Sequence, residues 1–268
     1  MKSISLFVLF FVSINIHAVD NLRILDIRSL GMGGNGVTQS VLFNPALVTL
    51  HTDKVIHCEY FNRYGVKELG TMGVGFVYPN QFLSAAVDIS SFGYDQYRET
   101  LFRLSLGKQL NDRWRIGVGF QCKILQTELW NEVPKQLSAD LGILFAPVDK
   151  VLIGMLIMNF PSATIHKNTS EINCFTGYSV QIGFQWEIIN SLLIVGTVES
   201  NKRQTWVGNM GIEYAPFRNF HIRVGIQTDP LLPALGIGYR LARFSIDVAT
   251  VYHSVLGISS GLGLSYSF

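Results

Sequence analysis

The last strand-length of the chain, Leu256 to Phe268, alternates apolar residues with small or polar ones and ends on an aromatic ring. Phe268, Tyr266, Leu264, Leu262 and Ile258 fall on one side of a period-two backbone, and Ser267, Ser265, Gly263, Gly261, Ser259 and Gly257 fall on the other. One face suits lipid and the other a lumen. The same alternation returns along the chain, bounded by turn residues, with no amphipathic helix after residue 50. This reads as an all-β fold: a transmembrane antiparallel β-barrel with an apolar outside.

About fourteen strands are expected, at 53–62, 70–78, 81–92, 98–110, 113–127, 136–146, 150–160, 176–188, 191–200, 204–214, 219–228, 231–240, 243–252 and 256–268. The fifth is the clearest, with Trp114, Ile116, Val118, Phe120 and Cys122 alternating against Arg115, Gly117, Gly119, Gln121 and Lys123. Connections after even-numbered strands are tight and rich in Pro, Asn and Asp. Those after odd-numbered strands include longer ones, at about 62–70, 92–98, 128–136 and 160–176. Bacterial barrels have short periplasmic turns and longer outside loops, so the chain should begin in the periplasm of a Gram-negative cell.

Residues 1–18 carry Lys2, an apolar stretch from Ile4 to Ile16 and the small residue Ala18, the pattern of a secretory signal peptide. The stretch is short for a membrane span, and Val151 to Phe160, the most apolar later run, is shorter still. Net charge is +2 with 15% charged residues, which gives no electrostatic reason to bind nucleic acid. The odd set Cys58, Cys122 and Cys174 excludes a full disulfide framework, and Cys58 and Cys122 are expected as small buried apolar side chains within strands. The domain reading is a signal peptide at 1–18, an N-terminal periplasmic or hatch segment at 19–50 and an outer-membrane barrel at 51–268.

Residues 21–50 do not alternate, yet they hold the densest local signal, Leu30-Gly31-Met32-Gly33-Gly34-Asn35-Gly36 followed by Phe43-Asn44-Pro45-Ala46. Asn44 can cap a short helix that Pro45 opens. Gly31, Gly33 and Gly36 also match the dinucleotide fingerprint, but that motif needs a βαβ unit which this chain does not offer. A glycine-rich stretch, a Phe-Asn-Pro-Ala element and about fourteen strands together resemble the FadL superfamily of outer-membrane barrels. Within it, the chain is most similar to the PorV and PorQ proteins of the type IX secretion system of Bacteroidota. The resemblance implies that residues 21–50 fold into the lumen as a hatch carried by Gly31, Gly33, Gly34, Gly36, Asn44 and Pro45. The final Leu264, Tyr266 and Phe268 resemble the signal that the barrel-assembly machinery reads during insertion.

No catalytic constellation and no metal-ligand spacing emerges, and no cofactor is expected: His51, His57, His166, His221 and His253 scatter over strands and loops as solvated or interfacial histidines. Charged residues expected to face inward are Arg103, Arg115, Lys123, Asp140, Glu187, Glu213, Arg223 and Asp247. Their signs balance, which favours a structural network across the lumen, or one holding the hatch, over a selectivity ring of one sign. Arg115 or Arg223 should pair with an inward acid or with the hatch. Two non-enzymatic functions remain. The PorV and PorQ resemblance implies a subunit of an outer-membrane secretion or assembly complex, with outer-membrane lipid and other outer-membrane proteins as partners. A FadL-like channel for hydrophobic small molecules is the alternative, with 160–176 as the one loop able to form a greasy groove.

Overall fold

The computed structural model describes residues 26–128, 133–165, 177–201 and 206–268. The expected signal peptide lies outside the described residues. A five-residue helix α1 (Ile27–Gly31) and a 3-10 helix (Pro45–Leu50) precede the sheet. The strands are β1 (Val55–Asn62), β2 (Gly70–Tyr78), β3 (Ser84–Tyr94), β4 (Tyr97–Gln109), β5 (Trp114–Thr127), β6 (Lys135–Val148), β7 (Val151–Met158) and β8 (Ser162–Ile165). They continue as β9 (Ser179–Ile189), β10 (Leu192–Asn201), β11 (Trp206–Phe217), β12 (Phe220–Gln227), β13 (Leu232–Leu241), β14 (Phe244–His253) and β15 (Gly257–Ser267).

Sequential strands pair antiparallel, and β15 returns to β1 from Val55 opposite Ser267 to Asn62 opposite Ser260, which closes the sheet. Closure pairs both edges of every strand but β8, which among the described residues pairs with β6 alone, and so satisfies backbone groups that would each cost several kcal/mol if left bare in hydrocarbon. The wall has fourteen positions, because β7 and β8 share one. β7 pairs with β6 as far as Ile157 opposite Leu141, and β8 resumes on Lys135–Ser138. The strand expected over 150–160 is found as Val151–Met158, and β8 falls in the stretch after it expected as a loop. Asn159 turns into the left-handed region at φ 55° and Pro161 has no N–H to give. The backbone bonds Phe160 N to Ala139 O (2.8 Å) and Ala139 N to Pro161 O (3.0 Å) carry the wall across the break.

The tight connections gather at one end, the end that also holds Lys54 and Phe268, whose backbone groups bond at 2.9 Å. The other end holds the longer connections, with one correction: 92–98 is no loop, since β3 runs to Tyr94 and β4 starts at Tyr97, leaving a tight hairpin. Outward positions at the strand centres are mostly apolar, as Ile116, Val118 and Phe120 show between the buried Gly117, Gly119 and Gln121. Rings cluster at the terminal end: Phe268 stacks on Tyr266 (5.9 Å) and Phe76 (6.3 Å), Tyr266 meets Phe244 (4.7 Å), and Trp114 stacks on Phe145 (4.4 Å). Aromatic girdles of this kind mark the level where hydrocarbon meets headgroups. Cys58 is exposed and Cys122 half-buried, on outward positions, which corrects the expectation that both are buried. No helix among the described residues is long and apolar enough to cross a membrane.

The outward face therefore sets a depth-dependent penalty for charge. In reversible unfolding from lipid vesicles, Val224→Lys at mid-strand should cost about 2–4 kcal/mol, and Leu241→Lys at a strand end about 1 kcal/mol or less. Equal costs at the two positions would contradict a hydrocarbon belt across the strand centres.

Candidate functional site

Residues 26–50 lie against the inner face of the wall, and local chemistry explains their path. Asp26 caps α1 by accepting from Arg28 N (3.0 Å) and Ser29 N (3.3 Å). Burial pushes the Asp26 carboxyl above its ordinary range, although Ser40 and Arg28 oppose the shift. Gly33 sits at φ 78° with Ile226 backbone 2.7 Å from where a Cβ would be, so both conformation and space demand glycine. Asn44 is buried, accepts from Ala46 N (3.0 Å) at the start of the 3-10 helix and donates to Val37 O (2.9 Å). The phenyl ring of Phe43 fills the position that a side chain on Gly36 would occupy.

The wall receives this segment on inward glycines. Ile27 rests on Gly261 and Gly263 of β15, Gly31 on Gly236 of β13, and Met32 on Gly225 of β12 and Gly211 of β11. Val37 then rests on Gly183 of β9 and Gly154 of β7, Asn44 on Gly142 of β6, Ala46 on Gly117 of β5 and Val48 on Gly107 of β4. The segment thus follows the inner wall from β15 backwards through the strand order to β4. A side chain at most of these glycines would collide with it, and the packing is apolar: Ile27, Met32, Val37, Ala46 and Val48 are almost wholly buried.

Two ionic networks flank the contact. On β11, β12 and β14, Glu213 accepts from Arg28 (2.9 and 3.0 Å) and Arg223 (2.6 Å), and Arg223 also reaches Asp247 (2.6 Å), which Ser245 supports (3.2 Å). On β4, β5 and β6, Arg103 donates to Asp140 (2.9 Å) and to the carbonyl of Phe43 (2.6 Å). Gln121 and the backbone N–H of Asn159 (2.8 Å) complete the Asp140 shell. Arg103 and Asp140 are fully buried, so their charges depend on these bonds.

On the remaining arc, β1 to β4, a cavity of about 20 Å³ opens, roughly the room that one water molecule needs. Leu42 lines it from the segment, and His57, Glu59, Asp88, Leu101 and Arg103 line it from the wall, over Gly73. His57 Nε2 and Asp88 Oδ1 lie 3.0 Å apart, above a Gly75 that leaves them space.

Of the inward charges expected from sequence, the structure brings Arg103 together with Asp140, and Glu213 with Arg223 and Asp247. Lys123 is buried on the same arc of wall. Arg115 is half-buried, its Nε without a hydrogen bond, and Glu187 is half-buried near the terminal end, apart from both networks. The histidine reading needs correction at two positions. His57 faces the cavity and His221 is 7% exposed, 3.8 Å from Glu213. Sequence reasoning also missed Arg28, Glu59 and Asp88. The last two stand between apolar neighbours, Cys58 and Tyr60 or Val87 and Ile89, so the alternation itself could have found them. Among the described residues no group of three or more His, Cys, Asp or Glu is disposed to hold a metal.

The same fold recurs in solved channels. The CymD monoaromatic hydrocarbon channel superposes with a TM-score of 0.67 at 14% identity, over 90% of this chain and 96% of that one. The Pseudomonas putida toluene transporter TodX gives 0.65 at 10% identity, over 90% and 97%. A Pseudomonas aeruginosa FadL homologue gives 0.54 at 12% identity, over 88% and 97%. No protein-family model and no curated sequence matches the chain.

The β11 to β14 network gives a direct stability test. Glu213→Ala leaves two guanidinium groups short of a partner and should cost about 3–5 kcal/mol in vesicle unfolding. The triple variant Glu213→Leu, Arg223→Met, Asp247→Asn should recover part of that loss, because neither an arginine at position 223 nor the carboxylate that it pairs at position 247 then remains. A triple variant less stable than Glu213→Ala would contradict this account of the network.

Proposed function

We propose that this chain is an outer-membrane channel for hydrophobic small molecules and that residues 26–50 are its hatch. The observation that carries the reading is the path of that segment. It follows the inner wall from β15 round to β4, and the cavity beside it on the arc from β1 to β4 has room for about one water molecule. A lumen filled in this way does not suit free diffusion of sugars or ions, the work of a general porin. It suits a conduit whose cargo enters by displacing the segment.

Support for the class of cargo comes from two barrels of like fold, the monoaromatic hydrocarbon channel CymD and the toluene transporter TodX. In this reading residues 1–18 are removed as a signal peptide, the terminal end of the barrel faces the periplasm and Leu264, Tyr266 and Phe268 guide insertion. The exposed Ile165 stands at the opposite end of the barrel, where an apolar cargo would arrive. Residues 166–176 of the groove expected over 160–176 lie outside the described residues. Membership of a secretion or assembly complex has no comparable support: the barrels of like fold are channels, and nothing in the segment or its two networks calls for a protein partner.

The test is flux into vesicles carrying the purified barrel. Toluene should enter faster than into protein-free vesicles when the bilayer is made rate-limiting with lipopolysaccharide in the outer leaflet, while arabinose entry stays at the protein-free rate. Entry of arabinose would make the barrel a porin, and toluene entry equal to the protein-free control would overturn the channel reading.

A further inference from the structure

The ionic contacts of the hatch are unlike on its two sides. Around Glu213 and Arg223 the ionic partners are mutually engaged. Around Arg103 they are not: Nε and Nη1 make no hydrogen bond, although the side chain is fully buried. Facing it across the cavity, both carboxylate oxygens of Asp88 and Oε2 of Glu59 also lack hydrogen bonds, the Asp88 contact with His57 being close but poorly directed. Donors without acceptors therefore frame the same small cavity as acceptors without donors.

Register sharpens this. Asp88 and Arg103 are direct cross-strand partners on β3 and β4, both turned inward. Side chains so placed start from Cβ atoms about 5 Å apart, well within reach of a guanidinium. Arg103 nevertheless points the other way, past its other neighbour Gln121, to Asp140 and the carbonyl of Phe43. Gly73, the inward position of β2 beside Ser90, has nothing within 3.5 Å of where a Cβ would stand, so the floor of the cavity is open.

The geometry points to Arg103 as a two-position latch whose second seat is the cavity framed by Asp88 and Glu59. In the first position Arg103 holds the Phe43 carbonyl and Asp140, and the 40–46 turn stays on the wall. In the second it forms a paired fork with its cross-strand neighbour Asp88, gives up the Phe43 carbonyl and frees the turn that carries Leu42. The exchange keeps a carboxylate on the guanidinium in both positions, so neither end of the swing leaves Arg103 as an unpaired buried charge. This rests on the reading of residues 26–50 as a hatch, and it deepens that reading by naming what releases it.

The two carboxylates must then act with opposite sign. With Cys58 and Cys122 changed to Ala and Cys174 to Ser, Ser40→Cys places a buried thiol in the turn, and its rate of reaction with a water-soluble methanethiosulfonate reports release. Asp140→Asn should raise that rate about tenfold, the factor that about 1.4 kcal/mol gives. Asp88→Asn should lower it, and in an Arg103→Gln background neither substitution should matter. Heat-modifiable migration on gels confirms that each variant is folded. If Asp140→Asn does not insert, Asp88→Asn decides alone, since an unchanged or faster rate overturns the latch. Two substitutions that move the rate in the same direction would also overturn it, as expected of a network that only stabilises the barrel. The readout needs no transport: opposite shifts without toluene flux would leave the latch standing and remove the channel reading.

Discussion

Everything in this barrel depends on how closely a backbone can approach the inner wall. Fourteen strands close on themselves and fix a lumen too wide for wall side chains alone to fill. The chain fills it with its own residues 26–50, and does so by lowering the wall instead of lengthening the segment. On most of the strands that the segment crosses an inward residue is a glycine, so the segment's backbone can lie against the wall there. Replacing Gly117 or Gly225 by any larger residue would put a side chain where Ala46 or Met32 already stands. The glycines that look like poor strand formers along β4 to β15 are thus the complement of the segment's shape.

Charge is arranged around the same contact. An inward charge in a filled lumen is cut off from bulk water, and it survives only with partners. Balanced signs follow from this need. Each network ties the segment to several strands at once, Arg28 through Glu213 near its start and the Phe43 carbonyl through Arg103 near its end. The loose fit around Arg103, beside the cavity on the arc from β1 to β4, is where this packing has room to change.

Much of this could be read from the chain. The alternation of β5 or β12 admits one face assignment, and a one-residue slip would put Arg223 into lipid and Ile222 into the lumen, so register was legible. The wall charges of both networks were legible in part for the same reason: Arg103, Asp140, Glu213, Arg223 and Asp247 interrupt apolar alternation. Their partners were not, because Arg103 bypasses its cross-strand carboxylate, Asp88, for one two strands away, and no local rule chooses between them. Arg28 lies outside any strand and carried no period to reveal it. The break at Asn159 was hidden because Pro161 reads equally well as the end of a strand. The wall glycines were visible as residues but not as a surface, since their common role appears only when strands far apart in sequence are set side by side.

The central claim, that the chain's own N-terminal segment occupies the lumen, can be met by one crosslinking measurement. A Cβ built on Gly263 would stand 3.3 Å from the Cβ of Ile27, near the separation that a disulfide spans. In a barrel cleared of its native cysteines, Ile27→Cys with Gly263→Cys should oxidise to an intramolecular bridge in intact membranes, seen as altered migration that a reductant reverses. Two thiols that stay unbridged under oxidant, each reacting freely with a bulky water-soluble maleimide, would mean that the segment does not sit there.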